Sequence, residues 1–153
     1  MPRNFWYATL AGLILFVLDR ISRTLAFHWG NKEIIPRLIK SLPTENFGVA
    51  LGINLPNGRI STIVISLVLL LVVVALAFQA YKTKNFYVWL STNLIFLGAF
   101  SNLLDRIFYG SVRDFLKFSF WPTTNNLGDL MVLVGAILLI ITFHTNSHKL
   151  KKL

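Results

Sequence analysis

The chain carries only six acidic residues, Asp19, Glu33, Glu45, Asp105, Asp114 and Asp129, against 15 Lys and Arg. It has no cysteine, which excludes disulfides, thiolate catalysis and cysteine-ligated zinc. Of the three histidines, His28 stands alone, while His144 and His148 lie four apart in a Lys-rich tail with no further ligand nearby. No serine–histidine pairing offers itself, so a pair of carboxylates is the available catalytic machinery. Two Asp side chains sharing a low-dielectric site cannot both ionise easily, so one keeps a proton. The charged member then takes a proton from water, and the protonated one donates to the scissile carbonyl oxygen. That chemistry hydrolyses a peptide bond without a covalent intermediate. Asn side chains and an Arg close by would hold the carboxylates and orient a substrate backbone.

Spacing groups the polar residues further. Asn102, Asp105 and Arg106 stand at i, i+3 and i+4, as on one helix face, and Asn126 and Asp129 are three apart. Asp19 and Arg23, four apart, can pair. Each group also has an ordinary reading. Asp129 could cap a helix N-terminus, Asp105–Arg106 could end a helix as a surface pair, and Asp19–Arg23 could be a self-neutralising structural pair. Asn46 and Gly48, taken singly, are common turn residues.

The elements that must position these groups are apolar. Of 153 residues, 55% are hydrophobic and 14% charged, where a soluble domain has about a quarter charged. The apolar residues fall in long blocks, which predicts an all-α membrane protein with four transmembrane helices at about residues 4–28, 60–81, 86–104 and 126–144. A single domain over residues 1–153 suffices. LDRISR follows the first block where a small-residue cleavage site would stand, so that block reads as an uncleaved span. Between helices 1 and 2, Phe47, Val49, Leu51, Ile53 and Leu55 alternate with small or polar residues and end at Pro56-Asn57-Gly58. This predicts a small β element on the membrane surface.

Adjacent spans run in opposite directions. Asp19, Asn102, Asp105, Arg106, Asn126 and Asp129 therefore fall at one membrane face, together with the short loop carrying Asp114. An ionisable group at membrane depth costs about 2.5–3.5 kcal/mol on insertion scales, so such a gathering marks a functional site. The net charge of +9 would suggest nucleic acid in a soluble protein, but no basic domain stands clear of the apolar blocks, so contact with membrane lipids is the better reading. Counting Lys and Arg in the loops leaves the orientation open.

Four segments, in order, resemble motifs of the lipoprotein signal peptidases (signal peptidase II). SNLLDRIFYGSVRDF is similar to G-N-x-x-D-R-x-x-x-G-x-V-x-D-F through Asn102, Asp105, Arg106, Gly110, Val112, Asp114 and Phe115. NNLGD resembles F-N-x-A-D through Asn126 and Asp129, and ENFGVALG resembles N-x-G-x-A-F-G through Asn46, Gly48, Ala50 and Gly52. LDRISR resembles the D-x-x-x-K element of the first span through Asp19. The resemblance implies that Asp114 and Asp129 are the catalytic dyad. Asn102, Asp105, Arg106, Asn126, Asp19 and Asn46 would support the dyad or bind substrate, with no metal or cofactor. It implies cleavage of a lipid-modified bacterial prolipoprotein just before the modified cysteine, by a monomer in the cytoplasmic membrane. Both termini would be cytoplasmic, with the site and β element extracytoplasmic. The chain departs from the pattern at Arg23 for Lys, Leu51 for Phe, Ala99 and Ser101 for Gly, Asn125 for Phe and Gly128 for Ala. These departures bear on substrate preference and inhibitor sensitivity and remove no carboxylate. Two rival readings are a small transporter or channel subunit using its membrane-face acids, and a catalytically idle lipoprotein-binding relative.

Overall fold

The computed structural model describes residues 3–48 and 58–150. In chain order the elements are α1 (Arg3–Trp29), β1 (Lys32–Ile35), β2 (Ile39–Asn46), α2 (Gly58–Thr83), α3 (Phe86–Tyr109), β3 (Val112–Phe118), β4 (Thr124–Asn125) and α4 (Leu127–Leu150). Among the described residues, Gly58–Gln79, Phe86–Tyr109 and Leu127–Thr145 are helical stretches long and apolar enough to cross a membrane.

Local chemistry fixes the ends of α3. The Asn85 side chain accepts the backbone N–H groups of Tyr87 and Val88, satisfying two donors of the first turn. At the other end Gly110 takes the left-handed conformation (φ 81°) and its N–H closes on the Arg106 carbonyl. The helix therefore runs past residue 104 and includes Asp105 and Arg106.

α3 is the central helix, packed against α1, α2 and α4. It meets α4 through glycines: a Cβ on Gly98 would collide with the Gly128 carbonyl oxygen, and one on Gly135 would come within 2.8 Å of the Ser91 carbonyl oxygen. Small residues let two backbones approach this closely where no hydrophobic drive exists between helices in lipid. Leu94 and Leu97 of α3 and Met131 of α4 form a buried cluster there, joined by Phe16 of α1. The opposite surfaces carry exposed Ile60, Val64, Val68, Leu71, Ile137 and Ile140.

At one end of the bundle lies an antiparallel sheet in the order β1-β2-β3-β4. The expected β element between helices 1 and 2 is thus present, but as β1 and β2, upstream of the alternating stretch. Residues 49–55 of that stretch lie outside the described residues, and Phe47 and Gly48 are not in a strand. The register of β2 on β3 shifts between Ser41 and Thr44, where Pro43 has no N–H to give the ladder. Ala26 of α1 packs with Phe115 and Leu116, seating the sheet on the helices.

One expectation is corrected here. Asp114 does not sit in a loop but in the middle of β3, opposite Thr44 of β2. Residues 112–116 are all buried, so this strand lacks the half-exposed alternation that would have revealed it.

Candidate active site

Asp114 and Asp129 reach the same cleft from different elements. The cleft has a volume of about 660 Å³, and its polar end also holds Asn46, Asn102, Arg106 and Thr124. Its other end is apolar, walled by Ile65 and Leu69 of α2, Ala99 of α3, and Val132, Leu133 and Ala136 of α4.

Each carboxylate is held by amides. Asp114, 2% exposed, accepts Asn126 Nδ2 on Oδ1 at 2.5 Å and Asn46 Nδ2 on Oδ2 at 3.1 Å. Asp129 accepts Asn102 Nδ2 on Oδ1 at 2.8 Å and the Asn126 backbone N–H on Oδ2 at 3.2 Å. Burial pushes the Asp114 carboxyl up to about 6, and the negative charge of Asp129 adds to the rise. The Asn126 and Asn46 amides act in the opposite direction, because an N–H donor favours the charged form.

Arg106 donates from Nη2 to the Gly48 carbonyl oxygen at 3.1 Å and interacts electrostatically with both Asp129 and Asp114. Its buried Nε has no hydrogen-bond partner among the described residues. The site therefore combines two carboxylates, amide donors and one cation around a cleft, which is a set able to activate water and polarise a carbonyl.

Asp19 and Asp105 do not line this cleft. Both are fully buried one layer behind it, in an ion network. Arg23 donates Nε to Asp19 Oδ2 at 2.8 Å, Nη1 to Asp105 Oδ2 at 2.7 Å and Nη2 to Asn102 Oδ1 at 2.7 Å. Asp105 also accepts Arg20 Nη1 at 2.7 Å, and from Arg113 the backbone N–H at 2.9 Å and Nη2 at 3.2 Å. Asp19 accepts Ser101 Oγ at 2.5 Å and the Gly128 backbone N–H at 2.9 Å, so it also satisfies a first-turn donor of α4.

All eight residues singled out from the sequence thus gather at one end of the bundle, but in two layers. Asn46, Asn102, Arg106, Asp114 and Asp129 line the cleft, and Asn126 lies fully buried between the two carboxylates. The expectation that Asn102, Asp105 and Arg106 share one helix face is corrected. Asn102 and Arg106, four apart, face the cleft, whereas Asp105 turns into the ion network, since adjacent helical residues diverge. Sequence reasoning missed Arg20 and Arg113 as partners of Asp105, and it missed Trp121, Thr123 and Thr124 on the cleft wall. The Arg20 contact, 85 residues away in the chain, left no signal for the first. Nothing in the sequence pointed to the second.

Comparison with known proteins identifies the family and the fold. The family model described as Signal peptidase (SPase) II matches residues 11–145. The lipoprotein signal peptidase of Halothermothrix orenii is 42% identical over 135 residues, covering 84% of this chain and 89% of that protein. That of Syntrophomonas wolfei is 38% identical over 147 residues, covering 90% and 91%. A bacterial membrane enzyme solved by the in meso method at 2.3 Å superposes with a TM-score of 0.80 at 23% identity, covering 92% of this chain and 89% of its own. A second, solved at 1.9 Å, gives 0.75 at 22%, covering 90% and 92%. These two likenesses are of fold. The family match over most of the chain, with relatives this similar, places the protein in the signal peptidase II family, whose members are aspartic peptidases.

Proposed function

We propose that this protein removes signal peptides from lipid-modified bacterial prolipoproteins, cutting just before the diacylglyceryl-cysteine with a water activated by Asp114 and Asp129. The observation that carries the reading is the meeting of these two carboxylates in one cleft, joined by one residue: Asn126 gives its side-chain amide to Asp114 and its backbone N–H to Asp129. With one proton shared, the charged carboxylate takes a proton from the attacking water while the protonated one donates to the scissile carbonyl oxygen. The tetrahedral intermediate collapses as the C–N bond breaks: the first carboxyl returns its proton to the leaving cysteine amine, and a hydroxyl of the intermediate gives its proton back to the second carboxylate, which restores the shared proton. Arg106 and Asn102, at the cleft's polar end, are placed to hold the substrate backbone and the developing oxyanion. The apolar end, between α2 and α4, suits the apolar part of a lipidated, membrane-embedded substrate.

The same reading makes α1 a fourth membrane span. At 27 residues it is about 40 Å long, enough to cross. Its charges Asp19, Arg20 and Arg23 turn inward to α3, while Leu10, Ile14, Val17, Leu18 and Ile21 face outward. Both termini then lie on the cytoplasmic side, and the sheet and cleft lie at the extracytoplasmic surface. The enzyme acts as a monomer with membrane lipids around it and without a metal or cofactor.

The test is processing of a lipid-modified prolipoprotein by the protein in proteoliposomes, with the new N-terminus read by mass spectrometry. Cleavage directly before the modified cysteine, lost on Asp114→Asn and on Asp129→Asn, is the expected result. Cleavage elsewhere, or processing by both variants at the wild-type rate, would overturn the proposal.

A further inference from the structure

We infer that Arg23 is a positioning residue for the carboxylate pair, acting through the side-chain amide of Asn102. The inference rests on the reading of Asp114 and Asp129 as the dyad. Arg23 is 0% exposed, and it touches neither carboxylate of the pair through a hydrogen bond among the described residues. It instead decides which way Asn102 faces.

An Asn amide has one oxygen, which accepts, and one nitrogen, which donates, whereas a guanidinium only donates. Arg23 Nη2 at 2.7 Å therefore binds Asn102 Oδ1, which leaves Nδ2 to donate to Asp129 Oδ1 at 2.8 Å. Without that donor, the amide could turn over and set its oxygen against the Asp129 carboxylate. The guanidinium itself is locked by Asp19 on α1 and Asp105 on α3, and Asp105 is anchored in turn by Arg20 and Arg113. The chain Asp19–Arg23–Asn102–Asp129 thus joins α1, α3 and α4 by charge-assisted contacts of a fixed planar fork. A lysine in this position would keep the charge and lose the fork.

The arrangement also depends on the neighbouring glycine. A Cβ at Gly128 would stand 2.9 Å from Arg23 Nη2, the same nitrogen that holds Asn102. Arg23 and Gly128 are both places where the chain departs from the family pattern, and they meet at this contact.

A kinetic cycle tests the inference, using the full-length enzyme in proteoliposomes and a lipid-modified prolipoprotein. Arg23→Gln should lower kcat by about 10- to 100-fold, the usual effect of losing a partner one shell from the chemistry, with KM nearly unchanged. Arg23→Lys should recover part of that loss. In an Asn102→Ala background the same Arg23→Gln change should cost little more, because the residue through which Arg23 acts is gone. An equal fold-loss of kcat in both backgrounds, or no loss in the wild-type background, would overturn the inference. If Arg23→Gln does not fold, the cycle is run with Arg23→Lys and the same comparison decides. Loss of cleavage in Asp114→Asn and Asp129→Asn alongside an additive cycle rejects only the role of Arg23. Retained cleavage in those variants rejects the dyad itself.

Discussion

Asn126 and Asp129 cap one another: Asn126 Oδ1 accepts the Asp129 backbone N–H at 2.8 Å, and Asp129 Oδ2 accepts the Asn126 backbone N–H at 3.2 Å. This is a capping box at the first turn of α4. The capping reading of Asp129 therefore holds, and it does not compete with a site in the cleft, because its other oxygen takes the Asn102 amide. The same Asn126 side chain then passes its Nδ2 to Asp114. Asn126 and Asp129 thus build the helix start, and the same Asn126 side chain holds the other carboxylate.

Replacing Asn126 by Ala should therefore damage both. Loss of the cap is expected to cost about 1 kcal/mol of stability, seen as a lower midpoint of thermal unfolding in detergent micelles. Cleavage per folded molecule should fall by more than tenfold, since the Asp114 carboxylate loses the Asn126 amide and the turn that carries Asp129 loses its cap. A variant as unstable as this but fully active per folded molecule would show that Asn126 only caps.

The pH profile follows from Asp114. Its carboxyl stands at about 6 against an ordinary 3.8, raised by burial and by Asp129. The proton that the reaction requires is therefore lost as pH rises through about 6, and kcat should decline on that side, as a property of the pair. Asn46→Ala removes an N–H donor that holds this carboxyl down. The midpoint of the decline should then move to higher pH. A shift to lower pH would contradict the assignment.

Asp114→Asn should be inactive yet more stable at neutral pH. A carboxyl raised from 3.8 to about 6 in the folded state disfavours folding by about 3 kcal/mol once it is ionised in both states. An amide avoids that cost and gives up a hydrogen bond worth about 1 kcal/mol. The variant should gain about 2 kcal/mol at pH 7, the gain shrinking as pH falls through about 6 and turning into a loss of about 1 kcal/mol below about pH 4, where only the lost hydrogen bond remains. Chemical or thermal unfolding across pH measures it.

Gly128→Ala should lower kcat by crowding Arg23 Nη2 and Asn126 Oδ1, which lie 2.9 and 3.0 Å from the new Cβ. Combined with Arg23→Lys, whose side chain carries no Nη2, the loss should be partly relieved. A double variant no better than Gly128→Ala alone would place the strain at the Gly98 carbonyl oxygen instead, 3.1 Å away.

Part of this was legible in the sequence. The charge-free run that becomes α2, the helical identity of the other blocks, and the shared face of the polar residues all follow from apolar length and alternating span direction. The capping pair is visible in the three-residue spacing of Asn126 and Asp129. β3 was hidden because Arg113 and Asp114 interrupt its apolar residues, and Asp114 is buried against Asn46, 68 residues away in the chain. β2 was hidden by Pro43 and the register shift beside it. The ion network was half visible: Asp19–Arg23 is a local pair, but the Asp105 contacts of Arg20 and Arg23 span more than 80 residues and leave no periodic trace.

The most direct measurement is single-turnover cleavage of a lipid-modified prolipoprotein by the wild-type enzyme, Asp114→Asn and Asp129→Asn at saturating enzyme. Loss of either carboxylate should slow the chemical step by about 10³-fold or more while substrate binding persists. Cleavage by either variant at the wild-type rate would contradict the carboxylate pair.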